Sequence, residues 1–369
     1  MDPNSIRDLI KSTTKPLLIR NLLNWEILQW DLHRWKEILG TQPLQFRQGI
    51  YTHTDWPQFE NSTKTVQLSF DEFLTFVQET PNKWLYFDYK YLKDWFRNVN
   101  ELRKHISWDK FGFPERGVED STFWLGSKGA HTPMHIDTYG CNIVAQIYGR
   151  KRWLLFPSGE NLQRTRIPYE ESSIYSKINM FSPRGDEFDS VSDCRSITLN
   201  PGDVLIVPHR WWHFVENLEI AISINMWVDL PIDNEERVSE AIVQMLVSQF
   251  VNSIEPEKRL LIINPQVPLQ QNLMEAISLT EVCKKYCKQQ EKVASIDCDK
   301  IIKKSKYITV VECLSSEQFK EVIADQRKEA AEIKEVVCLN NDQKLLQDYV
   351  DSILDEDVIA IIKRKIWKL

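Results

Sequence analysis

Between Ile220 and Met226 the chain alternates. Ile220, Ile222, Ile224 and Met226 are large and apolar, whereas Ala221, Ser223 and Asn225 are small or polar. A period of two predicts an extended strand with one packed face and one face lining a cavity. Short β-rich runs of this kind fill the segment from Lys83 to Asp229, punctuated by the turn sequences SPRGDEF and LNPGDV, and together they predict a β-barrel. Ahead of it, KPLLIRN predicts a short strand and the run to Gly40 a helix, with Trp25, Trp30 and Trp35 as packing residues. FRQGIYTHTD and TVQLSFDEFLTFVQ then read as strand then helix, with Ser69 or Asp71 as the possible N-cap.

Beyond Asp233 the period lengthens to about 3.6, in Val238, Ala241, Ile242, Met245 and Leu246, behind an Asp233 cap and the acidic turn Glu235–Glu236. Helices are expected from there on, including LLQDYVDSILDEDVIAIIKRKIWKL near the C-terminus, with residues 291–341 a charged, looser stretch. The expected organisation is a helix-and-strand support over residues 1–82, a barrel over 83–232 and a helical region over 233–369. The apolar stripe Val238–Leu246 is the expected surface for a homodimer.

Composition narrows the class. The 369 residues are 42% hydrophobic, with 13 Trp but no apolar run long enough for a membrane helix. Seven scattered cysteines without a CxxC pair argue for reduced thiols and against a disulfide framework or zinc ribbon. Cys283 and Cys287, at helical spacing, read as structural. The N-terminal residues lack the pattern of a secretory signal, so a cytoplasmic location is expected, with the nucleus as the alternative. A net charge of −7, without basic blocks interleaved with aromatics, argues against a nucleic-acid partner.

Chemistry concentrates in HTPMHIDTYGCN. His135 and Asp137 are two apart and share one face of a strand, so both can reach one metal. His213, in PGDVLIVPHRWWHFVEN, is the best third ligand. Two histidines and a carboxylate leave coordination positions open, as non-haem Fe(II) oxygenases require. Taken alone, an HxD pair is a weak signal. His131 and His209 each stand four residues before a ligand, too far along a strand to chelate the same ion. In GRKRWLLFP, Lys151 is in phase with Trp153 and Leu155, and Arg152 with Leu154 and Phe156, so parity does not decide which base points inward.

TPMHID, AQIYGRKRWLLFP, GDVLIVPHRWWH and SINMW, in this order, resemble the JmjC family of oxygenases. The resemblance implies a double-stranded β-helix, a cupin-like barrel, with flanking helices. It implies Fe(II) held by His135, Asp137 and His213, and 2-oxoglutarate contacted by Lys151, Thr132 and Tyr86. Asn142 and Asn225 match asparagines near co-substrate and metal, although one extra residue separates Asp137 from Asn142. Trp227 and Trp212 match aromatics of the pocket wall or core. DYKYL, KFGFPERG and RIPYEESSIYSKIN are similar to a member linked to a small heat-shock protein, which brings that class in as a partner. The implied activity is hydroxylation of a protein or peptide. A non-catalytic scaffold and a protein-lysine or -arginine demethylase stand as alternatives.

Overall fold

Two antiparallel sheets face one another. The structure is a computed structural model, and it describes residues 2–51, 54, 56–265, 273–289, 296–329 and 341–368. The first strands are β1 (Leu17–Ile19), β2 (Leu44–Ile50), β3 (Lys64–Leu68) and β4 (Lys83–Tyr91). A small hairpin, β5 (Ser107–Trp108) and β6 (Phe113–Gly117), stands apart. There follow β7 (Thr122–Gly126), β8 (His131–Asp137), β9 (Cys141–Tyr148), β10 (Lys151–Phe156), β11 (Arg164–Thr165) and β12 (Ser173–Ser176). The last are β13 (Arg195–Leu199), β14 (Val204–Val207), β15 (Trp212–Asn217), β16 (Ala221–Val228) and β17 (Ile308–Val310). One sheet runs β17, β1, β14, β9, β16, β7, β4, β2, β3, and the other β11, β12, β8, β15, β10, β13. Strands from residues 1–82 and from 308–310 thus complete the same sheet as the barrel strands.

The alternation in β16 has the expected result. Ile222, Ile224 and Met226 are fully buried in the core behind the larger sheet, while Ser223 and Asn225 line the cavity between the sheets. The amino-terminal helices α1 (Pro3–Ser12), α2 (Leu32–Leu39) and α3 (Phe70–Glu79) cover the outer face of that sheet. Trp25, Trp30 and Trp35 are buried there, as packing residues should be. The expected single helix before Gly40 is instead a 3-10 turn at Glu26–Gln29 followed by α2. The Asp31 carboxylate accepts the Arg34 N–H at 2.8 Å and starts a new helix.

Ser69, and not Asp71, caps α3. Its hydroxyl accepts the Glu72 N–H while the Glu72 carboxylate accepts the Ser69 N–H at 2.7 Å, a reciprocal capping box. Ser69→Ala is therefore expected to cost about 1 kcal/mol, read as a lower denaturation midpoint with unchanged slope. Short helices α4 (Leu92–Trp95) and α5 (Asn100–His105) follow β4.

After β16, α6 (Asp233–Ser253) begins at Asp233 itself, so Asp233 is its first residue and not the cap. Its carboxylate accepts the Leu230 N–H at 2.8 Å and the Gly140 N–H at 2.9 Å, tying the helix to the β8–β9 turn. The remaining helices are α7 (Pro256–Arg259), α8 (Leu273–Gln289), α9 (Cys298–Lys304), α10 (Ser316–Glu329), α11 (Asn341–Ile353) and α12 (Glu356–Trp367). Val238 and Ile242 of α6 are buried in one cluster with Cys283, Val350, Leu354 and Ile359. The stripe expected to pair two copies is thus covered by the chain's own carboxy-terminal helices. The stretch expected to be loose holds α9, β17 and α10, and β17 adds a strand to β1. Residues 290–295 and 330–340 lie outside the described ones.

Candidate active site

His213 lies directly opposite His135 in the β15–β8 ladder, which brings their ring centroids to 4.0 Å. Asp137, two residues along β8, places Oδ1 3.6 Å from His135 Nε2 and Oδ2 3.8 Å from His213 Nε2. One ligand atom from each of the three lies within 4.8 Å of the others. The histidine tautomers follow from their other nitrogens. His135 Nδ1 meets the Pro133 carbonyl and His213 Nδ1 the Trp211 carbonyl, both at 2.9 Å. A carbonyl only accepts, so each Nδ1 carries the proton and each Nε2 presents its lone pair to the centre. Burial, and then His213, hold the His135 imidazole down to about 4, so it is neutral near pH 7.

The carboxylate is braced by donors. Asp137 Oδ2 accepts Trp227 Nε1–H at 2.9 Å and Asn142 Nδ2–H at 3.4 Å. Asn142 Oδ1 in turn accepts Asn225 Nδ2–H at 2.8 Å, and Asn225 Oδ1 accepts Trp124 Nε1–H at 2.7 Å. The relay runs through three strands of the larger sheet and fixes both amide orientations. Asn142 and Asn225 both line the cavity, and these contacts put them on the metal side of it.

Thr132 stands an odd three residues before His135, yet both face the cavity. The ladder explains it, because β15 advances two residues from His213 to Val215 while β8 advances three from His135 to Thr132. This bulge turns Thr132 inward and His131 outward. His131 stacks on Phe181 at 4.4 Å. His209 turns toward Glu236 of α6, so neither histidine is a ligand.

Lys151 resolves the ambiguity of parity. It is 1% exposed and lines the cavity, whereas Arg152 points to the other face and pairs with Glu216 at 3.0 Å. The Lys151 ammonium donates to the Tyr86 hydroxyl at 3.3 Å, and no carboxylate pairs with it among the described residues. Burial pushes it down to about 7, with Asp88 only partly opposing. Thr132 also hydrogen-bonds Tyr86. Opposite Tyr86 in the next strand is Gly126, where a Cβ would come within 2.8 Å of the tyrosine ring, so glycine gives that ring its room. One ammonium and two hydroxyls thus converge on one part of the cavity.

A model of the Cupin-like domain matches residues 3–234. The chain belongs to the cupin-like JmjC family. HSPB1-associated protein 1 of Homo sapiens is 38% identical over 281 residues, covering 71% of this chain and 58% of that protein. The Danio rerio homolog is 36% identical over 270 residues, 68% of this chain and 60% of its own. Lysine-specific demethylase 8 of Xenopus tropicalis is 25% identical over 232 residues, 60% of this chain and 49% of its own. This chain therefore spans under two thirds of each of these curated relatives.

As a JmjC cupin, the chain keeps its site in a cavity of about 660 Å³ between the two sheets. Trp227 walls that cavity and Trp212 is buried in the core. Several lining groups carried no signal in the sequence. Arg47 of β2 pairs with Asp88 at 2.8 Å and donates to the Gln58 and His131 carbonyls, both at 2.8 Å. Trp153 stacks on the His213 ring with centroids 5.8 Å apart. Tyr175 stands opposite His135 in the β12–β8 ladder. Arg237, Gln244 and Asn264 reach the cavity from beyond the barrel strands. Their positions follow from packing of distant segments, which no local periodicity encodes.

Proposed function

We propose that this chain is an Fe(II)- and 2-oxoglutarate-dependent oxygenase that hydroxylates a protein or peptide. The observation that carries the proposal is Lys151, a buried ammonium that no carboxylate pairs with among the described residues, in the same cavity as a complete His-Asp-His set. Burying a charge is costly unless it is paired, and the distal carboxylate of 2-oxoglutarate is the partner that would offset the cost. His135, Asp137 and His213 would hold the metal, and Lys151, Tyr86 and Thr132 the co-substrate's far end. When bound, the pair would couple conversion of 2-oxoglutarate and O₂ to succinate and CO₂ to hydroxylation of a substrate C–H bond, one oxygen atom of O₂ entering succinate and the other the product. The chain's own part is to orient. Trp227 and Asn142 fix the carboxylate, the Pro133 and Trp211 carbonyls fix the imidazoles, and Trp153 closes the cavity wall beside His213.

The test is 2-oxoglutarate binding by equilibrium dialysis under anaerobic Fe(II), followed across pH. With Lys151 near 7 in the free protein and held protonated in the complex, affinity should fall about tenfold per pH unit as pH rises above 7. Succinate should form once air and ascorbate are admitted. A chain that neither binds nor consumes 2-oxoglutarate would be a scaffold, and the oxygenase reading would be lost. Hydroxylation and demethylation both begin with C–H oxidation, and the product mass of an oxidised target separates them. The relatives' name adds a small heat-shock protein as proposed partner, checked by retention of this chain on such a protein. A cytoplasmic location, with the nucleus as the alternative, is proposed on the scattered cysteines without a CxxC pair, and imaging of the tagged chain checks it.

A further inference from the structure

Tyr89 stands where a regular strand would not put it. Asp88 and Tyr89 are neighbours in β4, yet both line the cavity. Strict alternation would send Tyr89 to the core side with Phe87. The ladder shows how it escapes, because β4 advances three residues from Phe87 to Lys90 while β7 advances two from Leu125 to Phe123. Tyr89 sits in this bulge with a φ of 54°, in the left-handed region that a residue with a Cβ enters at a cost. Among the described residues it is the only aromatic one held there. Lys90 then returns to the core side, where its ammonium lies over the Phe87 and Trp95 rings.

Burial of the Tyr89 ring does not account for this strain, since the residue remains 43% exposed. What the ring does is cover two indoles. Its centroid lies 5.7 Å from that of Trp227 and 5.9 Å from that of Trp124, and both tryptophans are only half-buried. Trp227 meets no other aromatic ring among the described residues. Tyr91 braces the arrangement, its hydroxyl donating to the Tyr89 hydroxyl at 3.4 Å. The same two indoles end the hydrogen-bond relay of the metal centre, Trp227 at the Asp137 carboxylate and Trp124 at Asn225. A donor on a half-exposed indole competes with water for its acceptor. A ring packed against the indole fixes its tilt and keeps that water off.

We propose that Tyr89 is a positioning residue for the metal centre. Its ring fixes Trp227 and Trp124, and through their indole N–H groups it fixes the orientation of the Asp137 carboxylate. That a metal is held there rests on the oxygenase reading, whereas the ordering of the indoles does not. Loss of a group that directly supports a metal ligand weakens metal binding by about 10- to 100-fold. Tyr89 acts one step further out, so loss of its ring should weaken metal binding by about three- to tenfold.

The test compares the full chain with two variants. Tyr89→Asn removes the ring and keeps the bulge, because asparagine adopts the left-handed region readily, and Tyr89→Phe keeps the ring without its hydroxyl. In the metal-free chain carrying ¹⁵N-tryptophan, the Trp227 indole signal is identified by its absence from Trp227→Phe. Its proton should exchange with water at least about fivefold faster in Tyr89→Asn and at the parental rate in Tyr89→Phe. Calorimetric titration with Fe(II) under argon should show the three- to tenfold loss in Tyr89→Asn and parental affinity in Tyr89→Phe. Parental indole exchange in Tyr89→Asn would overturn the proposal, as would faster exchange with unchanged Fe(II) affinity. A Tyr89→Phe variant that behaves like Tyr89→Asn would overturn the role given to the ring. The two readings fail separately, because a parent chain that binds no Fe(II) would remove the oxygenase, and the exchange rates would still decide whether Tyr89 orders the donor to Asp137.

Discussion

Asp137→Ala is expected to abolish metal binding while leaving the chain folded. The carboxylate is the only charged member of the triad, and the two imidazoles that remain bring no charge to offset the loss of a divalent ion's hydration. Loss of a group that merely supports a ligand costs 10- to 100-fold in metal affinity, so loss of the ligand itself should exceed about 100-fold. The fold should tolerate the change because β8 is held by its other face, where Met134 and Ile136 are buried in the core under the smaller sheet. The local cost is two donors, Trp227 Nε1–H and Asn142 Nδ2–H, that lose their acceptor. That costs about 1–3 kcal/mol where water cannot replace it. Calorimetric titration with Fe(II) under argon measures the first effect and thermal unfolding of the apo chain the second. Undiminished metal affinity would place the ion elsewhere; global unfolding would make Asp137 a structural residue.

The sequence showed the triad because strand geometry is periodic. Residues 135 and 137 share a face in any regular strand, and the alternation of residues 220–226 put Asn225 on the cavity side in the same way. Thr132 lay at the limit of that logic. Its odd spacing from His135 contradicts a shared face, and only the bulge opposite His213–Val215 reconciles them. Lys151 and Arg152 were equivalent by parity, and the choice between them is made by Glu216, which takes the arginine on the outer face. The part of the cavity lined by Glu60, Glu170 and Asn264 was illegible for a different reason. Glu60, Glu170 and Asn264 are separated by 110 and 94 residues (170 − 60 and 264 − 170) and meet through irregular loops, by the Asn264 N–H to Tyr169 carbonyl bond and by Asn61 Nδ2 to the Leu260 carbonyl. The α6 stripe misled because an apolar helix face says that something covers it without saying what. Here the cover is α8 and α12 of the same chain.

Lys151→Met should make the chain more stable and unable to bind 2-oxoglutarate. Methionine has similar length and no charge to desolvate. The buried ammonium is pushed from 10.5 to about 7, and at 1.36 kcal/mol per pKa unit its removal is expected to gain ~2–4 kcal/mol at pH 6. The sign follows from proton counts. Between about pH 7 and 10.5 the unfolded chain still carries the Lys151 proton and the folded chain has lost it, so the stability of the unaltered protein rises with pH across that window. The variant lacks this slope, and its advantage should therefore be full below pH 7 and shrink toward pH 10. Denaturant unfolding of both proteins at pH 6, 8 and 9.5 reads the difference directly. Stability would then have been exchanged for function, since removing the ammonium that meets Tyr86 on the co-substrate side should weaken 2-oxoglutarate binding by more than about 100-fold. A variant less stable than the parent at pH 6 would mean that the ammonium is paired in the free protein. Retained affinity would take the co-substrate away from Lys151, and with it the observation on which the oxygenase reading rests.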